Sequence, residues 1–171
     1  DEDLLAVPTM VLPLTGKYYF NEKDDIWRSC HLLCLTSWDG YPIRGEFYDW
    51  DKSKLNEGKI DQLFLDFSKR TKSEKIQNDS SKLQRLLKIY LEDYSVDDEQ
   101  YPFLMKGMTS IDDLWMLVSP PKGMTIITDD NNAIYLAVFH DCLWDDEHGM
   151  YFLYDKDLTL IKVDQGSDPY I

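Results

Sequence analysis

The densest grouping of reactive side chains runs Cys142-Leu143-Trp144-Asp145-Asp146-Glu147-His148-Gly149-Met150, with His140 and Asp141 immediately before it. A thiol, carboxylates and an imidazole so close together admit two chemistries. Asp145, Glu147 and His148, joined by His140, form a mixed oxygen–nitrogen ligand set for a divalent metal. A carboxylate beside an imidazole is also a general acid–base pair. Adjacent residues on an extended connection point in diverging directions, so a single metal would need further ligands from elsewhere in the fold. The same residues also read as a turn, in which Gly149 supplies a positive φ, an acidic side chain accepts from turn amides, and Trp144 anchors the segment in the core. A third reading is contact with a partner.

Cys30, His31 and Cys34 have a spacing within the range of zinc ligands, but no second ligand pair follows at a matching separation. On one strand, Cys30 and Cys34 share a face with Leu32, and the simpler reading is a pair of small buried hydrophobes. No nucleophile elbow, Walker loop, dinucleotide fingerprint, H-E-x-x-H or EF-hand spacing is present. Asp129-Asp130-Asn131-Asn132 is oxygen-rich and reads as a turn.

Strands are expected to carry most of these groups. TMVLPL, GKYYF, DIWRSCHLLCLTSW and YPIRGEFYDW in the first fifty residues are aromatic and β-branched. Breakers fall at Leu14-Thr15-Gly16, at Asn21 to Asp25 and at the hairpin signal Asp39-Gly40. Pro13 and Pro42 suggest strand ends or edges. Between Lys59 and Arg70, Ile60, Leu63, Phe64 and Phe67 fit a helical stripe while Leu63, Leu65 and Phe67 alternate as in a strand; the balance favours helix. Thr71 to Ser80 is polar, a loop or the opening of the next element. Ser81 to Tyr94 is the clearest helix, with Leu83, Leu86, Leu87, Tyr90, Leu91 and Tyr94 on one face. A shorter helix is predicted over Ile111 to Val118, with Ser110 as N-cap, Asp112 and Asp113 in its first turn, and Pro120-Pro121 after it. Short strands then follow at Met124 to Thr128, Ala133 to Cys142, Gly149 to Tyr154 and Leu158 to Val163. The Trp144 to His148 segment falls between two of them as a hairpin connection. The expected fold is α+β: a single domain over residues 1–171 with a mostly antiparallel sheet and two or three helices packed on one face.

Composition narrows the partners. The 171 residues hold 32 acids and 18 bases, a formal charge of −14, with 43% hydrophobic residues and few Gly, Pro or Cys. Collagenous, low-complexity and disulfide-scaffold classes are therefore excluded. From Leu91 to Ile171 there are 17 acids and 4 bases, so −13 of the total lies after Tyr90, while Lys52 to Lys88 is locally +5. Such a chain is repelled by nucleic acid and by anionic membranes. Its acidic N-terminus is the reverse of a signal-peptide n-region, and its odd cysteine count suits a reducing compartment; a cytoplasmic location is expected. Five Trp and 11 Tyr are more than a core of this size ordinarily uses, which suggests surface anchors for a protein partner.

From about Ser81 to Val163 the chain resembles a bacterial domain of unknown function. Its members place a helix ending in an aromatic pair, a short helix and a strand before a C-x-W-D-x-E-H-G-[LM] signature. Cys142, Trp144, Asp145, Glu147, His148, Gly149 and Met150 match it, while Tyr151 departs from a small residue in relatives. Some members look like immunity proteins of polymorphic or contact-dependent toxin systems, and the resemblance implies no catalytic role. The expectation is a cytoplasmic immunity protein that neutralises a cognate, basic toxin domain, with nuclease as a candidate class, and without cofactor or metal. Its expected partner contacts are Asp97, Asp98, Glu99, Asp112, Asp113, Trp144, Asp145, Asp146, Glu147 and His148. The alternatives are a metal-dependent enzyme using His140, Asp145, Glu147 and His148, and a scaffold protein; the oligomeric state stays open.

Overall fold

A computed structural model describes residues 7–48, 57–93 and 110–171. Eight strands form one sheet in the order β1-β2-β3-β6-β7-β8-β9-β10. They are β1 (Thr9–Leu12), β2 (Gly16–Asn21), β3 (Ile26–Ser29), β6 (Gly45–Tyr48), β7 (Gly123–Thr128), β8 (Ile134–Cys142), β9 (Asp145–Tyr154) and β10 (Leu160–Gln165). A small separate ladder pairs β4 (Leu33–Leu35) with β5 (Tyr41–Ile43), with a 3-10 turn at Thr36–Trp38 between them. Three helices are described: α1 (Glu57–Lys69), α2 (Lys72–Asp93) and α3 (Ile111–Met116).

The α+β expectation holds, with one refinement. Every neighbouring pair in the large sheet is antiparallel except β6 with β7, which run parallel with Gly45 opposite Met124 and Phe47 opposite Ile126. A parallel pair requires a long crossover. Here the chain leaves β6 at Tyr48, contributes the helices, and returns at Gly123 beside the strand it left. The helices consequently cover one sheet face. Ile60, Phe64 and Phe67 of α1 and Leu83 and Leu87 of α2 share a core with Tyr18, Phe47, Ile126, Leu136, Val138, Phe152 and Tyr154. Strand alternation sends Ala137, Tyr151 and Leu153 to the opposite face, where they form a second, smaller cluster.

The favoured helix over Lys59 to Arg70 is present and runs to Lys69, with Phe64 and Phe67 both in the core. Of the two readings of the polar stretch Thr71 to Ser80, the opening of the next element holds, since α2 begins at Lys72. A capping box starts it: Glu74 N–H donates to Thr71 Oγ1 at 3.1 Å while Thr71 N–H donates to Glu74 Oε2 at 2.8 Å. DIWRSCHLLCLTSW is not one strand. It breaks after Ser29, whose buried hydroxyl accepts from Gly45 N–H at 3.0 Å. Cys34 is exposed and Cys30 only half-buried, so these cysteines are not the buried pair that strand alternation predicted.

The part of α2 read as polar buries charge. Arg70, in the link between α1 and α2, forks onto Asp79 through two bonds of 2.7 and 2.5 Å, and Tyr154 of β9 donates its hydroxyl to the same carboxylate at 2.7 Å. One turn earlier, Lys75 is 5% exposed, its ammonium 3.7 Å from the centre of the Trp38 ring and 4.7 Å from that of Trp115. Burial pulls its pKa down to about 8. From α1, Asp61 reaches across to the β1–β2 turn and accepts from Leu14 N–H, Thr15 N–H and the Thr15 hydroxyl.

Candidate functional site

The W-D-D-E-H-G segment is shorter as a turn and longer as a strand than its sequence suggests. Cys142 pairs with Asp145, so only Leu143 and Trp144 form the turn of the β8–β9 hairpin, and β9 begins at Asp145 rather than at Gly149. The register then shifts. His140 pairs with Met150, which leaves Asp146 to Gly149 bulging outward opposite the single residue Asp141.

The turn chemistry read from the sequence is present in detail. Trp144 is 3% exposed, and its indole N–H donates to Gln165 Oε1 at 3.2 Å. The Asp145 carboxylate accepts from His148 N–H at 3.1 Å and pairs with His148 Nδ1 at 3.0 Å. Gly149 has φ +66°, and a Cβ placed there would lie 2.7 Å from the His140 carbonyl oxygen. The Gly149 carbonyl in turn accepts from Gln165 Nε2 at 2.8 Å and from Gly166 N–H at 2.9 Å. Replacing Gly149 by Ala combines left-handed strain with a backbone clash and is expected to cost at least about 2 kcal/mol. Urea denaturation measures it, and a loss below about 0.5 kcal/mol would show that the bulge relaxes freely.

This geometry redistributes the expected contact residues. Trp144 is a core anchor and is not available to a partner; Asp145 is mostly taken up by its own turn. Asp146, Glu147 and His148 are exposed, as are Asp112 and Asp113 in the first turn of α3. Ser110 caps that helix as predicted, accepting from Asp113 N–H at 3.1 Å. Asp97, Asp98 and Glu99 lie outside the described residues.

The chain after α3 joins the hairpin directly. Leu143 N–H donates to the Leu117 carbonyl at 2.9 Å, Ser119 N–H to the Asp141 carbonyl at 2.9 Å, and Asp141 N–H to Ser119 Oγ at 2.8 Å. Between the two lies an open groove of about 630 Å³. Its apolar walls include Met116, 78% exposed, and Leu143, 55% exposed. Its polar lining holds Asp141, Asp146 and Lys122, with Lys122 Nζ 2.8 Å from Asp141 Oδ1. Nothing in the linear sequence pairs residues 116–120 with the hairpin. The nearest signal is Leu143 itself, an apolar residue in a tight turn, where polar residues are usual.

The metal reading finds no assembled site. Among the described residues no group of three or more His, Cys, Asp or Glu side chains could share an ion. His140 is 4% exposed and packs on Trp38 and Phe152, with Nδ1 2.8 Å from the Ser119 carbonyl. Burial lowers its pKa to about 4, so it is a neutral imidazole whose Nδ1–H donates to that carbonyl. Asp145 instead pairs with the exposed His148 of the bulge, away from His140. Burial pushes the Cys142 thiol up to about 11, which removes it as a thiolate nucleophile at neutral pH.

No curated protein and no solved structure matches the chain. A family model does, over residues 21–170. That span takes in β3 to β6 and α1, well beyond the segment from Ser81 to Val163 that carries the resemblance in sequence. With six of the eight strands of the large sheet and all three helices inside the match, the chain belongs to the family described as domain of unknown function DUF6985.

Proposed function

We propose that this protein is a cytoplasmic immunity protein that binds and neutralises a cognate toxin domain with a basic surface. The observation that carries the reading is the groove beside the β8–β9 hairpin, where exposed Met116 and Leu143 sit among Asp141 and Asp146. Apolar side chains this exposed, ringed by polar groups, mark interaction surfaces. The acids around them select for a positive partner. The long-range field agrees, since −13 of the formal charge lies after Tyr90, and toxins that cut nucleic acid carry basic grooves for phosphate. Among the described residues no helix is long and apolar enough to cross a membrane.

Two measurements test the reading. The reading frame immediately upstream should encode a toxin domain, and co-expression with it should rescue growth; the absence of such a domain there, or failure to rescue, overturns the reading. In stopped flow, the association rate should fall about tenfold or more between low salt and about 0.3 M, as steering by the acidic face is screened. An association rate that ignores salt would remove the electrostatic part of the proposal.

A further inference from the structure

We infer that the groove between Met116 and Leu143 is an anchor pocket for one apolar side chain flanked by Arg or Lys on a protein partner, and that Lys122 holds the partner's place in the free protein. This deepens the binding reading above by naming the recognised chemistry.

Main-chain bonds tie the two sides of the groove together, with Val118 bridged to Cys142. The bonds from Leu143 to Leu117 and between Ser119 and Asp141 fix its two walls in register. Beneath it, His140 donates to the Ser119 carbonyl and Trp115 of α3 donates its indole N–H to Ser80 Oγ of α2 at 2.9 Å. A rigid cleft loses little entropy on binding, which favours a single inserted anchor. Met116 supplies an adaptable wall that can close on side chains of several shapes.

The charge around the cleft decides the flanking chemistry. Asp141 and Asp146 face it, and Lys122 is the cation among the described lining residues. Lys122 and Asp141 are both more than half exposed, at 60% and 53%. An exposed ammonium–carboxylate pair is weak, whereas a guanidinium binds a carboxylate through two parallel bonds. A partner's Arg therefore displaces Lys122 from Asp141 at little cost. Nucleic acid and anionic lipid bring the wrong sign to this rim, and a second copy of the chain would set acids against acids.

The probe is a short Gly/Ser peptide with a central Arg-Leu-Arg, compared with Arg-Ser-Arg and Glu-Leu-Glu versions. Binding is followed by methyl NMR, with the Met116 signal assigned by its loss in Met116→Ser. Arg-Leu-Arg should shift the Met116 and Leu143 methyls saturably, and the two control peptides should bind about tenfold more weakly. Lys122→Gln should tighten binding about two- to fivefold by freeing Asp141, and Asp141→Asn should weaken it. Equal binding of Arg-Ser-Arg, shifts centred elsewhere, or concentration-dependent shifts without peptide would each overturn the inference. Met116→Ser and Leu143→Ser alter exposed side chains, and unchanged thermal unfolding confirms that they fold. The two proposals fail separately. Peptide binding without rescue from the toxin sinks the immunity reading alone, while full rescue by the Met116→Ser/Leu143→Ser double variant sinks the pocket alone.

Discussion

Asp79→Ala should lower the stability of this protein by about 3–5 kcal/mol, enough to leave much of it unfolded at physiological temperature. Asp79 is fully buried on α2 and holds three bonds, two from the Arg70 guanidinium and one from the Tyr154 hydroxyl. Arg70 is itself buried and also lies with its guanidinium carbon 5.1 Å from the centre of the Tyr154 ring. The carboxylate and the phenol together hold the guanidinium well above its usual pKa, against a burial effect that pulls it down. Removing Asp79 therefore leaves a buried guanidinium that cannot be discharged, still bonded to the Tyr154 oxygen at 3.1 Å but stripped of its carboxylate, and takes from that hydroxyl the acceptor of its own proton. The cost arises from the unpaired partner and not from the intrinsic worth of the pair. Arg70→Met combined with Asp79→Leu should consequently recover most of the loss, because it removes both charges and fills the space. Urea denaturation of the two variants separates these terms. A single Asp79→Ala variant within about 1 kcal/mol of the parent would mean that water reaches Arg70 and that the α1–α2 corner is looser than described.

That network also shows where sequence reading loses its grip. The apolar stripe of α2 is visible from Leu83 onward, but the helix begins at Lys72. Over its first turns the residues turned inward are Lys75, Asp79 and Ser80, whose types announce solvent. Periodicity scores hydrophobicity, so a helix that buries paired charge is invisible to it. The capping box Thr71-x-x-Glu74 was the available sign of an N-terminus. The W-D-D-E-H-G segment was more legible, since positive φ at Gly149, amide capping by Asp145 and anchoring by Trp144 are all local demands. The groove was not, because Met116 and Leu143 become neighbours only when the chain after α3 adds to the hairpin edge. The parallel junction of β6 and β7 escaped for the same reason: each strand looks alike in sequence whichever way its neighbour runs.

Acid should weaken the fold through His140, and the sign follows from which state takes up the proton. The unfolded imidazole titrates near its ordinary value of 6.5, whereas the folded one titrates near 4. Burial is the main cause. The Lys75 ammonium, facing the same Trp38 ring, adds to it, while the bond to the Ser119 carbonyl and the charge of Asp141 work in the opposite direction. Between pH 6.5 and 4 the unfolded chain binds the proton that the folded one refuses, so stability is complete above this window and falls as pH drops through it. The full difference corresponds to about 3 kcal/mol. Urea denaturation at pH 7 and pH 4 should reveal it as a loss that His140→Asn largely abolishes, since an Asn amide can still donate towards Ser119 but takes no proton. Carboxylates elsewhere titrate in both proteins, so the parent-minus-variant difference isolates the imidazole. A difference that stays flat across the window would mean that His140 is hydrated in the folded state. The consequence for binding is local, because His140 holds the Ser119 carbonyl and Ser119 holds Asp141 at the edge of the groove. As the imidazole is forced to accept a second proton, its new N–H must find a place among the rings of Trp38 and Phe152. The wall carrying Met116 should then loosen before the rest of the sheet, and amide exchange at Leu143, which donates to Leu117, should rise at acid pH ahead of exchange in the centre of β8.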